Sequence, residues 1–184
     1  MWRFSTSVKA VRAALRSLFV VSIAAAALTL PVAASAKPAS TSFTIVGYEY
    51  AFTSTVGSFA GSGTGNAGET AVWNARVKHD RLGSIPTYVN GGSFAMTTSR
   101  PGSFPDAVTG TFAYHRGTIT TLNRGANCTN QRYLVTSTLQ DVWTSTTAGG
   151  SGAFVVTLTH YRARIFGHCV IYKARVAGTV SLAF

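Results

Sequence analysis

The side chains able to do chemistry are few: Cys128 and Cys169, the histidines His79, His115, His160 and His168, and the carboxylates Glu49, Glu69, Asp80, Asp106 and Asp141. No two of the acids stand close in sequence, so the paired carboxylates of glycosidic chemistry have no local signature. His79 and Asp80 are neighbours, and neighbours on a strand point to opposite faces, which leaves no acid–base dyad within one segment. Gly63-Thr64-Gly65-Asn66-Ala67-Gly68 satisfies the glycine pattern of dinucleotide-binding loops. A strand-like run follows it where that motif would open a helix, so it reads as a hairpin turn. Nucleophile elbows, P-loops, zinc-protease helices and EF-hand loops do not occur in the sequence. No motif commits the chain to a reaction, and no cofactor is expected.

The cysteines and the cations carry more. An even pair of cysteines in an exported chain favours a disulfide, and closing the long loop between Cys128 and Cys169 would stabilise the fold by about 4 kcal/mol. The rival is a metal site using both thiols and His168, which falls one ligand short of a closed zinc centre. The chain has 16 Lys+Arg against 5 Asp+Glu, a formal charge of +11. Such an excess attracts anionic polymers, phospholipid headgroups or acidic small molecules, and it also serves plain solubility.

Export is itself read from the first 36 residues. Arg3, Lys9, Arg12 and Arg16 form a basic start, Leu18 to Leu30 is apolar or small, and Ala34-Ser35-Ala36 places a cut before Lys37. The apolar run is shorter than the ~20 residues a spanning helix needs. The expectation is a cleavable signal helix over 1–36, one domain over 37–184, a secreted, extracellular or periplasmic location, and no membrane span after cleavage.

The elements that must position these groups are strands. After Lys37 helical periodicity is almost absent, while alternation and turn residues recur at hairpin spacing. Eight extended runs follow: Ser42 to Thr53, Gly57 to Gly65, Thr70 to His79, Tyr88 to Thr98, Val108 to Leu122 with a kink at Gly117, Gln131 to Thr144, Ala153 to Arg164, and Cys169 to Leu182. The fold class is all-β, a closed or nearly closed antiparallel barrel, which removes the edges eight strands would otherwise expose. A theme of Gly, a small residue and then an apolar one recurs, as in Gly57-Ser58-Phe59, Gly92-Ser93-Phe94, Gly110-Thr111-Phe112 and Gly152-Ala153-Phe154. Glycine lets a coiled strand bend while the large side chain two residues later fills the interior.

Face assignment shows where the charge goes. Ala71, Trp73, Ala75, Val77 and His79 form one face of the third run, and Val170, Tyr172, Ala174 and Val176 one face of the last, with Lys173 and Arg175 opposite. In the seventh run Phe154, Val156 and Leu158 are followed on the same face by His160, Arg162 and Arg164. Either these line a polar mouth, or the strand projects beyond the core or is flipped by a bulge. A meander brings both cysteines to one end, where strands two apart lie ~9.6 Å from each other, so the Cys128 loop must fold over the seventh strand. Arg132, His160, Arg162, Arg164 and Lys173 are the candidate ligand-binding set, with Arg124 and His168 beside them. Tyr48, Tyr50, Phe52, Trp73, Tyr114, Tyr133, Trp143, Tyr161 and Tyr172 interleave with these cations as a stacking platform would, although barrel core and girdle is the plainer place for them. Export leaves no nucleic acid partner expected.

Two likenesses bear on the architecture. The ending Val180-Ser181-Leu182-Ala183-Phe184 resembles the insertion signal of bacterial outer-membrane proteins, which implies a competing eight-stranded membrane barrel with apolar side chains facing lipid. The glycine-rich hairpins and the strand count resemble lipocalin-type and allene-oxide-cyclase-type barrels, a likeness of architecture that does not carry function. The leading expectation is a basic binding module for an anionic or amphipathic small molecule or a cell-envelope polymer. A barrel isomerase or cyclase is the alternative, and it would need a buried His or Glu converging on a cavity. Whether the interior is filled or hollow separates them.

Overall fold

The computed structural model describes residues 40–98, 107–145 and 148–184. The expected signal segment and its cut lie outside the described residues. The chain forms β1 (Ser40–Phe52), β2 (Val56–Gly65), β3 (Thr70–His79), β4 (Val89–Thr98), β5 (Ala107–Asn123), β6 (Gln131–Thr144), β7 (Gly150–Ile165) and β8 (His168–Ala183), with one 3-10 turn at Ala126–Cys128. Each strand pairs antiparallel with the next, and β8 returns to β1, so the sheet closes into a barrel. The turns β1–β2, β3–β4, β5–β6 and β7–β8 therefore share one end, which the cysteines staple.

Alternation dictates what goes inside. β3 alternates without exception, with Ala71, Trp73, Ala75, Val77 and His79 buried and Thr70, Val72, Asn74, Arg76 and Lys78 exposed. The large side chains of the glycine theme meet in the interior: the Phe154 ring lies edge-on to Phe112 at 5.2 Å, Trp73 at 6.2 Å and Phe94 at 6.3 Å. Gly47 and Gly61 pair across β1 and β2, where any Cβ would strike the opposite carbonyl, and the space admits the Trp73 ring. The Trp73 indole N–H donates to the carbonyls of Ser62 at 3.0 Å and Val46 at 3.2 Å, so burying the ring strands no donor. The barrel is filled, not hollow. Among the described residues an enclosed chamber below the stapled end offers about 30 Å³, room for a water and little more.

This distribution is the inverse of the lipid-facing apolar band that an outer-membrane barrel presents. Phe184, the residue that resembles an insertion signal, packs against the core.

Bulges correct the sequence reading in three places. β8 carries one extra residue opposite Tyr161/Arg162, so Tyr172, expected inside, faces outward and is 62% exposed. β1 carries one at Tyr50, again exposed, and the kink expected at Gly117 is a wider bulge over Ala113 to Arg116. The apolar-to-cationic change along β7 has the projection as its cause: β6 pairs with β7 only as far as His160, and from Ala163 onward β7 holds β8 alone.

Candidate functional site

Cys128 and Cys169 form a disulfide with Cα atoms 5.6 Å apart, which removes the thiolate metal site. It also points to a compartment outside the cytoplasm. The loop bearing Cys128 folds over β7, as the spacing required. Asn130 Oδ1 accepts from the Arg162 backbone N–H at 3.2 Å, and the Arg162 guanidinium donates to the Gly125 carbonyl at 2.9 Å. The β7–β8 hairpin beyond the barrel is thus braced by one covalent and two hydrogen bonds.

Charge is sorted along the barrel. Every described Lys and Arg sits in the half nearer the stapled end: Arg76 and Lys78 at the end of β3, Arg81, Arg116, Arg124, Arg132 at the start of β6, Arg162 and Arg164, and Lys173 and Arg175 near the start of β8. Among the described acids, Glu69 and Asp141 lie toward the other end, and the two at the stapled end are occupied. Asp80 accepts from Asn90 Nδ2 at 2.7 Å and from the Tyr88 N–H at 3.0 Å, and the Asn90 bond first, then the Tyr88 one, holds its carboxyl below the usual range. Glu49 is buried against His160.

Outside the barrel, over β6, β7, β8 and β1, runs a shallow groove of about 1260 Å³. Register builds it: Arg132 pairs with Thr159, Thr159 with Arg175, and Arg175 with Tyr48, one outward row across four strands. The next row toward the stapled end pairs Tyr161 with Lys173, and the two bulges place Tyr172 and Tyr50 beside it. Tyr48 and Tyr50 meet at 6.4 Å between centroids and Tyr161 and Tyr172 at 6.5 Å. Thr157, Thr159, Ala177, Gly47 and Gly61 make a low floor between cationic and aromatic walls. The one acid on the lining, Glu49, turns its carboxylate inward.

The expected set is therefore divided. Arg132 and Lys173 line the groove, Arg164 is exposed on the projecting hairpin, and Arg162 is tied to the Gly125 carbonyl. His160 is the exception. It lies inside the barrel, its Nε2–H donating to Glu49 Oε2 at 2.7 Å, with the two side chains 5% and 4% exposed. Its ring packs against Tyr133 at 5.5 Å and Phe52 at 5.8 Å, and its Nδ1 has no hydrogen-bond partner among the described residues. His79, Tyr133 and this pair line the small chamber, above which Phe52, Thr53, Gln131 and Ile171 frame a mouth of about 290 Å³.

Sequence reasoning missed Arg175 as part of the groove and Glu49 as the partner of His160. Arg175 shares its face with Lys173 at period two, and Glu49 continues the inward positions Phe43, Ile45 and Gly47, so both were legible from alternation. The aromatic residues divide: of those interleaved with the cations, Trp73 and Tyr133 are core, while Tyr48, Tyr50, Phe52, Tyr114, Trp143 and Tyr172 are exposed. Comparison with family models, curated proteins and solved structures finds no match to the chain.

Proposed function

We propose that the protein is an exported, basic barrel that binds an anionic polymer, a cell-envelope polymer being the leading candidate. The observation that carries this is the pair of adjacent outward rows that set Arg132, Arg175 and Lys173 among Tyr48, Tyr161 and Tyr172, with no carboxylate of the described residues facing them. Spaced cations match repeating anionic groups, and tyrosine faces stack on sugar or other flat repeats at low entropy cost. A packed interior removes the ligand cavity that a lipocalin-type function would use.

The test is retention of the exported protein, its start read by N-terminal sequencing, on a polyanionic matrix across a salt gradient. Replacing Arg132, Lys173 and Arg175 by Ala should lower the salt needed for elution and flatten its salt dependence, because each exposed cation is screened over ~10 Å at 0.1 M salt. Unchanged elution rejects the proposal.

One observation favours a second reading. A buried imidazole whose Nε2–H is held by a carboxylate and whose Nδ1 is unpartnered is the arrangement of an oriented general base, as a barrel isomerase or cyclase would require. The chamber it lines admits only water, so a substrate would have to enter from the mouth framed by Phe52 and Ile171. Soaking small carbonyl or enol compounds and observing the His160 ring resonances by NMR tests this, and unperturbed resonances reject it.

A further inference from the structure

The stapled end carries apolar tips as well as cations. Phe166 stands at the turn between β7 and β8 and is 97% exposed, the neighbouring Ile165 is part-exposed, and Ile85 at the tip of the β3–β4 loop is 86% exposed. Both tips are held rigidly. The hairpin is braced by the disulfide and Arg162, and the β3–β4 loop by Asp80, by Thr87 Oγ1 donating to the Ser84 carbonyl at 2.6 Å and by the Ile119 N–H donating to the Thr87 carbonyl at 2.8 Å.

Phe166 is in the wrong place for a stable, soluble turn. It and Gly167 have φ of 49° and 82°, the left-handed pair of a two-residue hairpin turn. Asn-Gly is the favoured occupant, and a bulky side chain in that region costs stability. An aromatic residue that is strained, fully exposed and projected beyond the barrel on a braced hairpin serves something outside the molecule.

We infer that the stapled end docks onto an anionic phospholipid bilayer, Phe166 and Ile85 entering the headgroup–acyl boundary from opposite sides of the barrel mouth. Arg164, Arg162, Arg124 and Arg81, behind the tips, meet the lipid phosphates. The surface differs from the outer groove, so the two proposals stand or fall separately.

The experiment is cosedimentation of the exported protein with vesicles of equal parts phosphatidylglycerol and phosphatidylcholine, against vesicles of phosphatidylcholine alone, beside retention on a polyanionic matrix. The protein should partition onto the anionic vesicles and weakly onto the neutral ones. Phe166→Asn should reduce partition by roughly tenfold or more, from the apolar burial of one phenyl ring, while leaving polyanion retention unchanged and raising the unfolding midpoint. Ile85→Ser should reduce partition by a similar factor, at a turn with different backbone geometry. Wild-type protein that is held by the polyanion but ignores anionic vesicles overturns the inference and leaves the groove standing. Partition unaffected by either tip substitution overturns it equally, by reducing the vesicle interaction to charge alone. Loss of both partition and polyanion retention in the tip variants also counts against it, since the tips would then act through the fold.

Discussion

The Glu49–His160 pair is a place where removal of a single polar group should be felt strongly. It joins β1 to β7 across the barrel interior, with both side chains at or below 5% exposure and 2.7 Å between Nε2 and Oε2. Glu49→Ala deletes the acceptor and leaves an imidazole with neither nitrogen bonded among the described residues, since Nδ1 has no partner there. Leaving the buried imidazole N–H without an acceptor costs about 1–3 kcal/mol, the desolvation penalty of an unsatisfied polar group. Glu49→Gln retains an oxygen that can accept the same bond, so the loss falls to about 1–2 kcal/mol, the difference between a charge-assisted and a neutral hydrogen bond. Glu49→Leu combined with His160→Phe replaces both partners by apolar groups, and the double variant should lie within about 1 kcal/mol of wild type or above it. Urea unfolding at neutral pH with the disulfide intact measures all of these, an unchanged slope showing that the denatured state is comparable. If Glu49→Ala costs less than about 0.5 kcal/mol, or the double variant is as unstable as the singles combined, the pair is not the buried, coupled unit described. A stable double variant would also show that stability is not why the chain keeps the pair.

Other substitutions read other parts of the barrel. Replacing Cys128 and Cys169 by Ser frees a loop with a sequence separation of 41 and should lower stability by about 4 kcal/mol in denaturant titration, with hydrogen exchange rising first in the β7–β8 hairpin. Phe154→Ala empties the meeting point of three other aromatic rings and should cost about 3–5 kcal/mol by the same titration. The Asp80 carboxyl is lowered below its ordinary 3.8 by Asn90 and Tyr88, so its contribution is complete above that value and is lost as pH falls through the lower folded one; exchange protection of the Tyr88 amide should decay in that acid window and be absent in Asp80→Ala. Burial raises the Tyr133 phenol above 10.0, so stability should fall as pH climbs from about 10 toward the folded value, and Tyr133→Phe should remove that part of the alkaline loss.

The strand plan was legible because one face of nearly every strand is buried, and a period of two then fixes both existence and orientation. The runs read as Thr70 to His79 and Gln131 to Thr144 coincide with β3 and β6. The disulfide followed from an even pair of cysteines in a chain read as exported, and the fold of the Cys128 loop over β7 from meander topology and the spacing of strands. What alternation could not reveal is where it is interrupted. An extra residue at Tyr50, at Tyr172 or over Ala113 to Arg116 reverses faces without any mark in composition, so Tyr172 was read as core and the outward row of tyrosines was not seen. The filled interior was equally hidden, because the same alternation serves a hollow barrel and a packed one. It took the Gly47–Gly61 contact, which admits the Trp73 ring, to decide it.

Departures from local preference are not scattered evenly over this barrel. Toward the opposite end and in mid-barrel the interior is a network of aromatic and aliphatic side chains around Phe154, and among the described non-glycine residues there Asp141 and, in the mid-strand bulge of β5, His115 have positive φ. At the stapled end stand Asn127, Cys128 and Phe166 at positive φ, the bulges at Tyr50 and Tyr172, the buried Glu49–His160 pair and the concentrated cations. A sequence selected for folding alone would have Asn at the β7–β8 turn, an apolar pair in place of Glu49 and His160, and mixed charge around the rim. Each of these choices costs stability, and they share one end and the groove running down from it. Local rules are broken together where a protein meets something else. That concentration, rather than any single residue, is what the binding proposals rest on, with the rest of the barrel as support for the stapled end.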